Sequence, residues 1–155
     1  PYLMTVHASG GSEMLKAAAF AAAQGAADAG VVRPNILAVT VLTSLDKYDL
    51  ATLGINDMPV DQVRRLAALA KANGADGVVC SPLEIEILRK DLGDDFLIVV
   101  PGVRPSNVTP DDQKRVLTPA EAMLAGASYV VIGRPITQAS DPVAAARTIA
   151  KGLIE

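Results

Sequence analysis

Gly77-Val78-Val79-Cys80-Ser81-Pro82-Leu83-Glu84 is the stretch on which the fold turns, because a short apolar run passes at once into a helix start. Ser81 is placed as a cap, Pro82 takes the first helical position and Glu84 follows three residues after the cap, a capping box with proline added. Thr118-Pro119-Ala120-Glu121 repeats the device, and Asp141-Pro142 opens a last helix that Gly152 is placed to end. Outward from this stretch, apolar runs rich in branched residues alternate with helical patterns, which is the signature of βαβ units and a parallel sheet. Strands are predicted at Met4–His7, Ile36–Val41, Gly77–Cys80, Phe96–Val100 and Tyr129–Ile132. Most are apolar on both faces, which predicts burial between a helical layer and a barrel interior.

The helices fit the same scheme. Val63, Leu66, Ala67 and Ala70 fall at i, i+3, i+4 and i+7 before Gly74 and give one apolar stripe. The first helix, from Ser12 to about Ala23, is nearly all alanine and leucine on its expected buried side. Two connections, Thr43 to Pro59 and Pro101 to Leu117, are too long for simple turns. Both follow strands and so belong to the carboxyl-end face, where barrels and open α/β sheets place their sites. A (β/α)₈ TIM barrel needs about 250 residues, or roughly 31 per unit. The 155 residues here therefore supply about five βα units of an α/β fold.

Composition narrows the function classes. The chain is 50% hydrophobic and 20% charged, which excludes a disordered chain. A net charge of −3, with no tryptophan and only three tyrosines and two phenylalanines, argues against nucleic acid as a partner. The single Cys80 and single His7 leave no zinc cluster and point to a cytoplasmic protein without metal. The alanine-rich run around Ala17 to Ala23 is too short to span a membrane.

Several motifs carry possible chemistry. Gly133-Arg134-Pro135 follows the last strand, where glycine lets backbone N–H groups approach an anion and arginine offers a planar fork of donors. The alternative is a plain turn with a surface arginine. Pro101-Gly102-Val103-Arg104-Pro105, with Gln113-Lys114-Arg115 at the far side of its loop, reads as a segment able to fold over a ligand or as a solvated loop. Thr40-Val41-Leu42-Thr43-Ser44 offers hydroxyls at a strand's carboxyl end, although threonine is also a favoured strand residue. Asp46-Lys47-Tyr48-Asp49 looks like acid/base equipment, but charges in long loops are usually solvated. His7 is expected to be a packed residue and Cys80 a buried small hydrophobe.

Taken together, Val6-His7-Ala8-Ser9-Gly10-Gly11, Thr40 to Ser44, Pro101 to Pro105, Asp112-Gln113-Lys114-Arg115 with Thr118-Pro119, and Val131 to Thr137 resemble the bacterial orotidine 5′-phosphate decarboxylases. The resemblance spans essentially the whole chain in order and spacing. It implies a (β/α)₈ barrel acting as a homodimer, converting orotidine 5′-monophosphate to UMP in pyrimidine biosynthesis without metal or organic cofactor. It implies that Thr43 sits at the nucleotide and that Arg104 reaches the phosphate. Gln113 would bridge the phosphate loop to the base or ribose side, and Gly133 with Arg134 would complete the phosphate cradle.

The same resemblance shows a gap. Members of that family carry Asp-x-Lys-x-x-Asp at the end of the third barrel strand, whose lysine protonates the carbon that loses CO₂. They also carry an aspartate and a lysine on the first two strands. No lysine here has that setting; Lys47 has Leu45 two before it and Leu50 three after. The expectation is that residues 1–155 form the carboxyl-terminal part of one barrel domain, strands 4 to 8, with no catalytic residue in the chain and no activity alone. The missing amino-terminal segment would then be a partner. Two other readings stay open: a related sugar-phosphate decarboxylase or isomerase barrel, and a non-catalytic half-barrel.

Overall fold

The computed structural model describes residues 1–104 and 117–153. Its strands are β1 (Leu3–His7), β2 (Asn35–Val39), β3 (Gly77–Val79), β4 (Leu97–Pro101) and β5 (Tyr129–Val131). The helices are α1 (Gly11–Ala29), α2 (Lys47–Thr52), α3 (Pro59–Ala72), α4 (Ile85–Leu92), α5 (Pro119–Leu124), α6 (Arg134–Thr137) and α7 (Pro142–Lys151). The strands form one parallel sheet in sequence order, β1-β2-β3-β4-β5. All five predicted strands are present, within a residue or two at their ends.

Register sorts the strand residues into two faces. Val6, Ala38, Val78 and Ile98 stand side by side in one row, and His7, Val39, Val79, Val99 and Tyr129 in the next. Successive side chains alternate in direction, so these rows face opposite ways. The first row packs on the helices in one core with Leu15 of α1, Val63 and Leu66 of α3, and Ile85 and Leu88 of α4. Val63, Leu66, Ala67 and Ala70, the stripe read from spacing, are the four buried residues of α3. Each such Leu or Val contributes about 1.5–3 kcal/mol on burial.

The expectation of strands buried on both faces fails at the ends of the sheet. β2 and β4 are buried through their centres, but Met4 in β1 is 45% exposed and Val131 in β5 is 51% exposed. An outer strand has a neighbour on one side only, so part of each face is left uncovered. The sheet is nevertheless strongly curved. The phenol of Tyr129 donates to that of Tyr2 at 3.3 Å, with the rings edge-on at 6.5 Å, which links the two outer strands at their amino ends.

Local punctuation explains most element ends. α1 runs past the expected Ala23 to Ala29, where Gly30 turns left-handed with φ 63°. Thr118 and Glu121 make the full capping box. Ser81 caps through the Leu83 N–H, so Pro82–Glu84 tightens into a 3₁₀ turn, and Glu84 becomes buried as α4 begins at Ile85. The Asp141 side chain accepts from the Ala144 N–H, as its position predicts.

The amino-end face is braced by two arginines. Arg89 donates to the carbonyls of Gly126, Gly93 and Phe96 and to Ser128 Oγ, while Ser128 Oγ accepts the Ile98 N–H. Arg33 Nη1 donates to both carboxylate oxygens of Asp76, which also accepts the Ile36 N–H at 2.7 Å. The end of α4 is thereby tied to the starts of β4 and β5, and β2 is tied to β3.

Candidate functional site

Among the described residues, the candidate groups stand at the carboxyl ends of the strands. Thr43 lies in the exposed turn just beyond β2, closed by the Leu45 N–H donating to the Leu42 carbonyl. Arg104 follows β4 and is half-buried. Its N–H donates to the Leu117 carbonyl at 3.1 Å, which brings the two described segments together there. Gly102 takes φ 78°, a left-handed turn that only glycine makes without strain, and Val103 beside it is buried. Gln113 lies outside the described residues, as do Lys114 and Arg115.

Gly133 and Arg134 follow β5. The Gly133 carbonyl accepts the N–H groups of Ile136 and Thr137 at 2.9 and 3.1 Å, which starts α6 immediately after the strand. Arg134 and Pro135 occupy the first turn of that helix, and a Cβ built at Gly133 would meet nothing within 4 Å. The space above the Gly133 backbone is therefore open, as close approach of a ligand requires. β4 and β5 are hydrogen-bonded neighbours, with Pro101 opposite Val131, so Arg104 and Gly133 rise from adjacent strands. Thr43 stands on the same rim, separated from Arg104 by β3.

Other sequence candidates resolve into structural roles. Thr40 is buried, and its hydroxyl donates to the Val79 carbonyl at 2.8 Å, tying β2 to β3. Asp46 and Asp49 are the reciprocal capping box of α2, within a stretch the sequence reading treats as loop. The N–H groups of Asp49 and Tyr48 hold the Asp46 carboxyl below its ordinary value. Cys80 is buried, and burial, with the Glu84 charge adding to it, pushes its thiol far up, which makes it inert as a nucleophile. His7 corrects the expectation of a packed residue: it is exposed on the outer strand, because no strand covers it.

A cleft of about 560 Å³ opens at the other end of the sheet, lined by Tyr2, Lys71, Asp76, Asp94 and Phe96 among others. Its walls include the groups that brace the amino ends, and it is remote from the loops after the strands. The carboxyl-end rim is the better candidate. No group of three or more His, Cys, Asp or Glu placed to hold a metal ion occurs among the described residues. None of the described helices is long and apolar enough to cross a membrane.

Residues 2–149 match the family described as "Orotidine 5'-phosphate decarboxylase / HUMPS family". The chain belongs to this family. Orotidine 5′-phosphate decarboxylase of Rhodospirillum rubrum is 56% identical over 99% of this chain and 62% of its own length. The enzyme of the same name from Gluconobacter oxydans is 53% identical over 99% of this chain and 64% of its own. The crystal structure of orotidine 5′-phosphate decarboxylase from Lactobacillus acidophilus superposes with a TM-score of 0.83 at 45% identity, covering 97% of this chain and 62% of that one. The chain thus spans about three-fifths of the length of the family members it matches.

Proposed function

We propose that this chain is the carboxyl-terminal part, strands four to eight, of an orotidine 5′-phosphate decarboxylase barrel, and that it carries the phosphate and nucleotide grip of that enzyme. The complete protein would convert orotidine 5′-monophosphate to UMP in the cytoplasm, as a homodimer and without a cofactor. The observation that carries the reading is the rise of Arg104 and Gly133-Arg134 from adjacent strands on the carboxyl-end rim, in a chain matching the family over residues 2–149. A phosphate there would meet a guanidinium fork and an open glycine backbone, both suited to a dianion. Thr43 would contact the nucleotide across the rim, and Gln113 would bridge phosphate loop and ribose or base.

The chemistry of CO₂ loss is assigned to groups outside this chain, since the sequence holds no Asp-x-Lys-x-x-Asp. Binding energy from the phosphate accelerates a reaction only where reacting groups are present to use it. The identity of 56% to a named decarboxylase favours this substrate over a sugar phosphate. Calorimetric titration with UMP tests the grip. Arg104→Ala and Arg134→Ala are each expected to weaken binding about tenfold or more, the worth of a charge-assisted hydrogen bond. UMP binding that ignores both substitutions overturns the assignment. Release of CO₂ from orotidine 5′-monophosphate by residues 1–155 alone, at an enzymatic rate, overturns the placement of the catalytic groups.

A further inference from the structure

We propose that Glu121 of α5 is a positioning residue for Arg104: through the capping box at Thr118 it fixes the Leu117 carbonyl, which with the buried Val103 side chain clamps the Arg104 backbone for its grip on the phosphate. The role assigned to Glu121 rests on the phosphate reading above. The connection from one residue to the other is continuous. The Glu121 carboxylate accepts the Thr118 N–H at 2.7 Å and the Thr118 hydroxyl at 2.8 Å, and that hydroxyl oxygen accepts the Glu121 N–H at 3.2 Å. The Thr118 N–H and the Leu117 carbonyl belong to one planar trans peptide and point opposite ways. Holding the N–H therefore fixes the direction of the carbonyl, which accepts the Arg104 N–H at 3.1 Å.

A second anchor lies one residue before Arg104. Pro101 ends β4 opposite Val131, and Gly102 turns the chain away left-handed. Val103 then sinks into the core that also holds Val100, Ile85 and Ala122 of α5, and is 3% exposed. The side chain of Val103 and the N–H of Arg104 are thus both held, which leaves the Arg104 side chain as the part still to be ordered by a ligand. A backbone fixed in advance lowers the ordering cost of binding, and the paired donors of a guanidinium reward correct aim. Glu121 itself is exposed, and the buried residues of α5 are Pro119 and Ala122. Removing the Glu121 carboxylate therefore loosens the Leu117–Thr118 peptide without opening the core.

Calorimetric titration with UMP of the chain, Glu121→Ala, Arg104→Ala and the double variant tests the role. Glu121→Ala is expected to weaken binding about fivefold in the parent but less than about twofold beside Arg104→Ala, the non-additivity of residues that share a backbone shift. Glu121→Gln, which can close the same box, is expected to bind within about twofold of the parent. Losses of the same factor in both backgrounds overturn the proposal, because a cap that only stabilises α5 acts without Arg104. Failure of Glu121→Gln to rescue binding overturns it as well. Hydrogen exchange supplies a readout that needs no ligand. Glu121→Ala and Val103→Ala are each expected to speed exchange of the Arg104 N–H at least about tenfold. The N–H groups of Cys80 and Ser128, bonded to the Val99 and Ile98 carbonyls, are expected to exchange as in the parent. Unchanged protection of Arg104 overturns the clamp whatever UMP does. If Arg104 exchange responds as expected and UMP binds neither parent nor variants, the phosphate reading fails and the clamp stands. If UMP binds but its affinity ignores Glu121, the phosphate reading stands and the positioning role fails.

Discussion

β4 and β5 lie side by side and have nearly the same apolar character, Leu-Ile-Val-Val-Pro against Tyr-Val-Val, yet the centre of β4 is buried and Val131 of β5 is half open to solvent. β2 and β1 differ in the same way on the other side. Helix cover follows the strands: α3 and α4 bury whole stripes, while α7 buries none. Hydrophobic composition therefore marks which residues can be buried, and the number of neighbours a strand has decides which of them are. The middle of the sheet is a finished core, whereas its two ends stay exposed among the described residues.

The sharpest way to break that contrast is one substitution on each side of it. Ile98, fully buried in β4, leaves a cavity on truncation, and Ile98→Ala is expected to cost about 4 kcal/mol in a urea unfolding titration. Val131→Ala in the next strand is expected to cost less than about 1 kcal/mol, because most of the removed surface is already in water. Equal losses at the two sites would mean that the flanks are covered in solution.

A smaller effect comes from the concave side of the centre. A Cβ at Gly77 would fall on the Leu97 carbonyl oxygen and within 2.9 Å of Leu37 Cδ2. Gly77→Ala must push β3 away from β4 and is expected to cost about 2–3 kcal/mol, read from the same titration. An alanine tolerated without loss would show that the concave face is looser than the helix-covered one.

The centre was the legible part of this fold. Strand positions, the α3 stripe and the proline-marked helix starts could be read because period and capping chemistry are local, and Val63, Leu66, Ala67 and Ala70 are buried as their spacing requires. The exposure of Met4, His7 and Val131 was not legible, because a strand's sequence does not say whether another will lie beside it. Arg89 escaped notice for a related reason: its acceptors are backbone carbonyls from separate turns, which leave no side-chain pattern. At the rim, Gly133 and Arg104 were found by their place after strands. Asp46 and Asp49 read as solvated loop charges rather than acid/base chemistry, and the helix they cap goes unseen, although Asp-x-x-Asp ahead of a helical run is also a cap signal.

That cap gives the mildest prediction, on the rim beside Thr43. The Asp46 carboxyl is held below its ordinary value of 3.8 by the N–H groups of Asp49 and Tyr48. An acid depressed by folding contributes stability above its unfolded value and loses it as pH falls through the folded one. α2 is therefore expected to fray below about pH 3.8, seen as faster amide exchange at Leu50 and Leu53, whose N–H groups close the helix. Asp57 and Asp91 are also held below their ordinary value, by Arg65 and Arg64, so the change must be assigned by substitution. Asp46→Asn keeps an acceptor that does not titrate, and should remove most of the acid sensitivity of those amides while preserving the helix at neutral pH. Asp46→Ala should expose them at every pH. If Asp46→Asn frays with acid just as the parent does, the cap is not what holds α2, and the order of this part of the rim comes from the packing of Leu50 beneath it.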